Sequence, residues 1–241
     1  MRNIKLTLEY DGTEFHGWQV QPGLRTVQGI LEERFSLLLK EPIEVTGAGR
    51  TDGGVHALGQ VANFKIDNEI PLSGLYEGGN SLLPEDVSIK KVEEVPLEFN
   101  ARYSAKGKVY RYEISRVRSA LRRRYAWEVE YPLNLERMKK GTRVFLGEHD
   151  FTSFSKNGDS ESHITRIVRC EWHRGGDSIV FEVEGVRFLQ NMVRIMVGTL
   201  VEVGRGRFSP DEVGEMLSLR DRRRAGPTAP PQGLFLVEVK Y

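Results

Sequence analysis

A glycine-rich loop holds the carboxylate with the most distinctive setting in the chain. Four glycines fall within residues 47–54, and Asp52 stands among them. Glycine permits left-handed backbone angles and the close approach of a ligand. The glycine spacing matches neither a Walker A loop nor a dinucleotide fingerprint, and Asp52 lacks the neighbouring acids of a calcium loop. The loop is therefore either a hairpin tip or the support of a catalytic carboxylate.

Arg194 and Glu202 interrupt the most apolar segment of the sequence. The pattern predicts a buried helix over Arg187–Val203, with Arg194 in its middle. A guanidinium does not lose its proton, and burying it unpaired costs several kcal/mol, so Arg194 must reach solvent or a carboxylate. A structural salt bridge is the ordinary outcome. If the partner is Asp52, that carboxylate stays ionised and suits a nucleophile or general base better than a general acid.

Basic residues are concentrated in one part of the chain although the formal net charge is only +1. Residues 102–124 contain nine Lys or Arg and one acid, which indicates either a solvated face or a polyanion-binding segment. Arg102, Lys108 and Arg111 are its candidate RNA contacts. Tyr110 and Tyr112 share a strand face there, where a ring either packs in the core or stacks on a base.

The remaining side chains give no sign of a metal or a disulfide. The five histidines have no zinc-binding spacing, which favours surface or packing roles. Cys170 is the only cysteine, and its place in a predicted strand indicates a small core residue. No metal site is predicted.

The hydrophobic periodicity predicts the element order β-α-β-β-α-β twice, with Thr26 and Asn134 as helix caps. An additional helix is expected from Ser209 onward. We therefore predict an α+β fold of two ferredoxin-like (split β-α-β) halves, residues 1–104 and 105–241, joined near residues 99–106. The halves are expected to form a continuous, mostly antiparallel sheet with helices on one side. In the first half we predict strands 2–10, 43–46, 60–66 and 87–95, with helices after Thr26 and Pro71. In the second half we predict strands 108–114, 167–173, 179–186 and one through Leu234, with helices after Asn134 and over residues 187–203.

The sequence favours a cytoplasmic protein. No stretch approaches the ~18 uncharged apolar residues that a membrane span requires. The first five residues lack an apolar signal region and continue into the first predicted strand.

Taken together, these motifs resemble the tRNA pseudouridine synthase A family along essentially the whole chain. The Arg-Thr-Asp-Gly-Gly-Val-His-Ala stretch is the most specific of them. The matching segments are residues 15–19, 49–57, 99–102, 108–112, 188–194 and 226–231.

The resemblance implies a role for each candidate residue. Asp52 is the catalytic aspartate, Tyr110 lies against the target base, and Arg194 pairs with Asp52. Arg50 helps to displace the target uridine from its stack, and Leu234 lines the pocket.

The resemblance also implies the reaction and its partners. Uridines 38, 39 and 40 of the tRNA anticodon arm are isomerised to pseudouridine, by a homodimer that uses neither a cofactor nor a metal. The sequence leaves open whether Asp52 attacks C1′, attacks C6 or removes the C2′ proton.

Three alternative functions remain at this point. The chain could be a pseudouridine synthase acting on another RNA, or a non-catalytic RNA-binding protein of two RRM-like halves. It could also be an unrelated α+β metabolic enzyme with a basic face. Mapping the modified nucleotide would separate the two synthases, and a gel shift with tRNA would test the metabolic enzyme.

Overall fold

The computed structural model describes residues 1–156 and 162–241. These residues form two compact units. The first comprises Met1–Lys106 and Leu236–Tyr241, and the second comprises Gly107–Phe235.

The first unit contains a split β-α-β arrangement. Its strands lie in the order β4-β1-β3, with the short β2 on β3, and the β1, β2, β3 and β4 pairings are antiparallel. The last strand of the chain, β10, lies beside β3, which is why residues 236–241 group with this unit although the sequence places them in the second half. The elements are β1 (Arg2–Tyr10), α1 (Val27–Leu39), β2 (Thr46–Gly47), β3 (His56–Ile66), α2 (Leu72–Leu82), β4 (Val87–Val95) and β10 (Leu234–Lys240).

Alternating side chains of β1 form the centre of the first core. Ile4, Leu6 and Leu8 are fully buried, and Ile4 lies opposite Phe64 of β3. The ring of Phe35 on α1 contacts Phe64 at a centroid distance of 4.8 Å. Thr26 caps α1 as the sequence predicts, because its hydroxyl accepts the N–H of Gly29 at 3.3 Å.

The second unit repeats the strand arrangement of the first. Its strands lie in the order β5-β9-β8-β7 with antiparallel pairing, so that β5, β9 and β8 correspond to β1, β3 and β2. The short β6 pairs with β5 in parallel. The α+β class and the mostly antiparallel strands agree with the sequence prediction. The elements are β5 (Gly107–Ser115), β6 (Trp127–Glu128), α3 (Leu135–Thr142), β7 (Gly147–Asp150), β8 (Ile164–Gly175), β9 (Ser178–Gly185), α4 (Met192–Arg205) and α5 (Glu212–Leu219).

Several predicted boundaries differ from those of the structure. Helix α4 begins at Met192 rather than Arg187, because Asn191 adopts a left-handed backbone (φ +60°) that a helix cannot continue through. The second strand is only the two residues of β2, and β3 starts four residues earlier than predicted. The sequence pattern predicts that the helix after Asn134 contains Leu135, Met138 and Phe145, but Phe145 lies in a 3₁₀ turn, Arg143–Phe145, that follows α3.

Helix α4 is the most deeply buried helix of the second unit. Every residue from Met192 to Gly204 is buried except Arg194, which is partly exposed. The predicted apolar helix with Arg194 in it is therefore confirmed, and Glu202 near its end is a second charged residue that is buried. Within the described ranges, no helix has the length and apolar character needed to cross a bilayer.

Candidate active site

The loop that carries Asp52 connects β2 to β3 in the first unit. Asp52 is partly buried, whereas Arg50, two residues earlier, is exposed. The carbonyl of Asp52 accepts the N–H of Val55 at 3.1 Å, which closes a tight turn around the carboxylate-bearing residue. The turn is joined to the segment after β1 because the carbonyl of Thr51 accepts the N–H of Trp18 at 3.0 Å.

Two glycines in the segment after β1 allow its backbone to touch the Asp52 loop. A Cβ atom on Gly12 would lie 1.9 Å from the carbonyl oxygen of Val55. A Cβ on Gly17 would lie 2.7 Å from the carbonyl oxygen of Thr51, and the φ of Gly17 is +98°. Both positions therefore require glycine, and the close contact holds the loop in place from one side.

Buried side chains also hold the Asp52 loop through hydrogen bonds. The hydroxyl groups of Tyr10 and Thr51 are 2.8 Å apart, and burial raises the pKa of Tyr10 to about 12. The Nδ1 atom of His56 accepts the N–H of Gly12 at 3.0 Å, and this imidazole is 1% exposed. The same Nδ1 atom lies 3.1 Å from a carboxylate oxygen of Asp11, so His56 is buried against the segment after β1.

A segment of the second unit encloses the side chain of Arg194. We call residues Gly226–Pro231 the strap. The Nε of Arg194 donates to the carbonyl of Ala229 at 2.8 Å, while the N–H of Ala229 donates to the carbonyl of Arg194 at 3.0 Å. One Nη of Arg194 also donates to Asn191 Oδ1 at 2.8 Å. These bonds fix the direction of a group that is always charged.

The strap lies directly on helix α4. A Cβ atom on Gly198 would be 1.8 Å from the carbonyl oxygen of Pro227, so only glycine fits at this helical position. The N–H of Gly226 donates to Thr199 Oγ1 at 2.9 Å. Because Gly198 follows Arg194 by four residues, both lie on the helix face that the strap crosses.

The two tyrosines of β5 have different neighbours. Tyr110 is 6% exposed, and its ring meets Phe188 edge to face at a centroid distance of 4.9 Å. Tyr112 is fully buried and donates its hydroxyl proton to the carbonyl of Pro230 at 2.7 Å. Burial raises the pKa of Tyr112, and the charge of Arg194 acts in the opposite direction.

Leu234 follows the strap closely. It is 6% exposed and begins β10 just after the 3₁₀ turn Pro231–Gly233. A Cβ on Gly233 would lie 2.7 Å from the Tyr112 ring, so the chain before Leu234 passes against β5. Tyr112 and Arg194 therefore both donate hydrogen bonds to the strap, and Leu234 lies three residues after it.

The three basic candidates of residues 102–124 have unlike environments. Arg102 is exposed, and its guanidinium lies 5.6 Å from the centre of the Tyr103 ring. Lys108 is only 9% exposed. The Nε of Arg111 lies 3.3 Å from a carboxylate oxygen of Glu113.

Sequence reasoning missed the groups that hold these side chains. It treated residues 15–19 and 226–231 only as motifs of a resemblance, although the glycines and carbonyls of these segments support the Asp52 loop and Arg194. Their Gly and Pro content was the available signal, since such residues mark places where backbones approach closely.

Across residues 1–156 and 162–241, no group of three or more His, Cys, Asp or Glu side chains is placed to hold a metal ion.

The sequence is similar to one protein family and to full-length relatives that carry the same name. A family model described as tRNA pseudouridine synthase matches residues 7–104 and 142–241, which include Asp52 and Arg194 but not Tyr110. Proteins named tRNA pseudouridine synthase A are 46% identical in Caldicellulosiruptor saccharolyticus and 47% identical in Acetivibrio thermocellus and Geobacter sulfurreducens, each covering 100% of both chains.

The likeness to solved structures is much weaker. A solved Cbf5–Nop10–Gar1 complex contains a chain that is 9% identical with a TM-score of 0.34. The match covers 97% of the present chain and 56% of the solved one, and it is too weak to support a structural conclusion. The family match and the full-length relatives are sufficient by themselves: this chain belongs to the tRNA pseudouridine synthase family.

Proposed function

We propose that this chain isomerises uridine to pseudouridine in tRNA, at positions 38, 39 and 40 of the anticodon arm. Uridine and pseudouridine are isomers, so the reaction consumes no energy donor. The bond between N1 and C1′ breaks, the uracil turns, and C5 bonds to C1′. The C5 proton leaves and N1 gains a proton, which balances the step.

Each candidate residue has a role in this reaction that suits its side chain. The carboxylate of Asp52 acts as nucleophile or base, and Arg194 forms an ion pair with it that keeps it charged. The ring of Tyr110 holds the flipped uracil, and Leu234 closes the apolar side of the pocket. Arg50 assists the displacement of the uridine from its stack.

The single observation that carries the proposal is the pair of hydrogen bonds made by the Arg194 side chain, from Nε to the carbonyl of Ala229 and from one Nη to Asn191 Oδ1. A permanently charged side chain is held in a fixed direction on an otherwise buried helix, inside a stretch that the family model matches. Fixed charges of this kind stabilise a charged reaction partner without reorganising during the reaction. The loop of Asp52 is held with similar rigidity by the segment after β1.

The decisive experiment uses purified protein and unmodified tRNA transcript, with no nucleotide, metal or reductant added. Pseudouridine is mapped by chemical adduct formation and primer extension. We expect modification at positions 38–40. Asp52→Asn should reduce turnover by at least about three orders of magnitude while the affinity for tRNA stays nearly constant.

Asp67→Asn is a matched control, since Asp67 is an exposed carboxylate of the same unit that pairs with the N-terminal amine. It should retain full activity. Pseudouridine at other nucleotides would show that the target is not positions 38–40. The absence of pseudouridine from every RNA tested would refute the activity. Substantial turnover by Asp52→Asn would remove that residue from the mechanism.

We further propose that the protein is a homodimer in the cytoplasm, where its tRNA substrate is found. Light scattering coupled to gel filtration should give about twice the monomer mass of 27.4 kDa. A monomeric mass at the concentrations used for activity would contradict the dimer.

A further inference from the structure

The loop that follows β5 is the most basic exposed segment of the second unit. We call residues 116–125 the arginine loop, and it contains Arg116, Arg118, Arg122, Arg123 and Arg124. Arg118 and Arg123 are exposed to solvent. The family model matches neither this loop nor the remainder of residues 105–141.

The structure separates the arginines of the basic segment into two groups. The carboxylate of Glu113 lies 3.3 Å from Arg111 and 3.0 Å from Arg122, so two charges of the segment are partly neutralised inside the unit. Arg118 and Arg123 are instead exposed to solvent, and the only contact of the Arg123 guanidinium seen within the described residues is with the carbonyl of Ala120 in the loop itself. The polyanion-binding potential of the segment is thus concentrated on the loop rather than on the strand.

An apolar side chain stands at the centre of these charges. Leu121 is 86% exposed, and Val117 in the same loop is 45% exposed. A single exposed leucine is common on protein surfaces, so the informative feature here is that two exposed apolar side chains stand among five arginines of one loop. Arginines around an apolar tip are the composition of surfaces that contact nucleic acid backbones and bases.

Several backbone hydrogen bonds give the loop a defined shape. The N–H of Arg116 donates to the carbonyl of Asp177 at 2.9 Å, which joins the loop to the β8–β9 turn. The N–H of Ser119 donates to Glu128 at 3.0 Å, and the N–H of Arg123 donates to the Ser119 carbonyl at 3.0 Å. These hydrogen bonds fix the backbone on both sides of Leu121. The loop therefore loses less conformational entropy when a partner binds.

We propose that the arginine loop binds the tRNA outside the target nucleotide, with Arg118 and Arg123 on backbone phosphates and Leu121 against a base or sugar. This inference depends on the proposed function, which supplies the RNA. The end of β5 is five residues beyond Tyr110, or about 16 Å at the rise of a strand. That distance exceeds the reach of a single nucleotide held at Tyr110, so the loop meets a different part of the same RNA.

The test compares two loop variants with two matched controls. Arg118→Gln/Arg123→Gln removes two exposed charges from the loop, and Lys90→Gln/Lys91→Gln removes two exposed charges from β4. Leu121→Ser removes the apolar tip, and Leu37→Ser removes a leucine that is 61% exposed on α1. The dissociation constant for an unmodified tRNA transcript is measured by fluorescence anisotropy between 50 and 300 mM KCl.

The double arginine variant should bind about tenfold or more weakly near 0.1 M salt. Its slope of log affinity against log salt should shrink by roughly 1.5 to 2, as expected for two lost phosphate contacts. Leu121→Ser should bind about five- to tenfold more weakly with an unchanged slope, because an apolar contact does not depend on salt. Both controls should bind like the unmodified protein.

Three results would overturn the proposal. The first is equal affinity and salt slope for loop variants and controls. The second is a change of oligomeric state in either loop variant, which would make the loop a protein interface. The third is loss of binding to phosphatidylglycerol vesicles without any change in tRNA affinity. If the unmodified protein forms no pseudouridine, the proposed function fails, while the binding measurements still judge the loop.

Discussion

Replacing Gly198 by alanine tests whether the strap positions Arg194. The new Cβ atom would lie 1.8 Å from the carbonyl oxygen of Pro227, where nonbonded atoms require more than 3.0 Å. The strap must therefore move away from α4 by about 1.2 Å or more. Such a shift would extend the bonds between Arg194 and Ala229, now 2.8 and 3.0 Å long, beyond useful hydrogen-bond distance.

Two free energies with opposite signs decide the outcome for stability. Alanine is favoured over glycine inside a helix by about 1 kcal/mol. The loss of two hydrogen bonds and the strain of displacing the strap cost roughly 2–4 kcal/mol together. We expect Gly198→Ala to lower the free energy of unfolding by about 1–3 kcal/mol, or the Tm by several degrees. Activity should fall by about 100-fold, because a displacement near 1 Å misplaces the guanidinium.

Gly214→Ala provides the matched control. Gly214 lies in α5, and the nearest atom to its added Cβ is Val144 Cγ1 at an ordinary 3.7 Å. That variant should gain about 0.5–1 kcal/mol and keep its activity. Urea unfolding and pseudouridine formation are measured on both proteins. If Gly198→Ala is as stable and as active as Gly214→Ala, then the strap does not determine the position of Arg194.

Three further predictions follow from the described contacts. Arg194→Met should lower both activity and the free energy of unfolding, the latter by about 1–3 kcal/mol, since the carbonyl of Ala229 loses its donor; normal kinetics would show that the charge is dispensable. Burial raises the pKa of Tyr10 from 10.0 to about 12, so the unfolded chain loses this proton first and stability should fall as pH rises from 10 towards 12. The decrease in unfolding free energy between pH 10 and 12 should be smaller in Tyr10→Phe. Parallel curves of unfolding free energy against pH for the two proteins would show that Tyr10 does not cause the decrease. Cys170 is buried and its pKa is raised to about 12, so the folded protein should resist iodoacetamide at pH 8 and become alkylated in urea, as followed by intact mass; rapid labelling of the folded protein would contradict its burial.

Local patterns in the sequence determined most of the element order. The bounds predicted for β1 and β4 coincide with those observed, and Thr26 and Asn134 cap their helices through side-chain hydrogen bonds. Alternation, helical periodicity and capping depend on residues a few positions apart, so they can be read along the chain. The apolar character of α4 and the exceptional position of Arg194 belong to the same class of information.

Local sequence patterns did not predict where α4 begins. The apolar residues Phe188 and Leu189 continue the helical pattern, but the left-handed backbone of Asn191 interrupts it. The resemblance to a family identified Asp52 and Arg194 by their motifs. It did not reveal what holds them, because their supports come from distant parts of the chain.

Tertiary structure alone decided those supports. Gly12 contacts Val55 across 43 positions of sequence, and Gly198 contacts Pro227 across 29. A glycine in the sequence shows only that a side chain is missing, whereas the folded chain shows which backbone occupies the space. The sequence therefore determined which charged groups the protein carries and on which elements, and the packing of distant backbones determined the directions in which those groups are held.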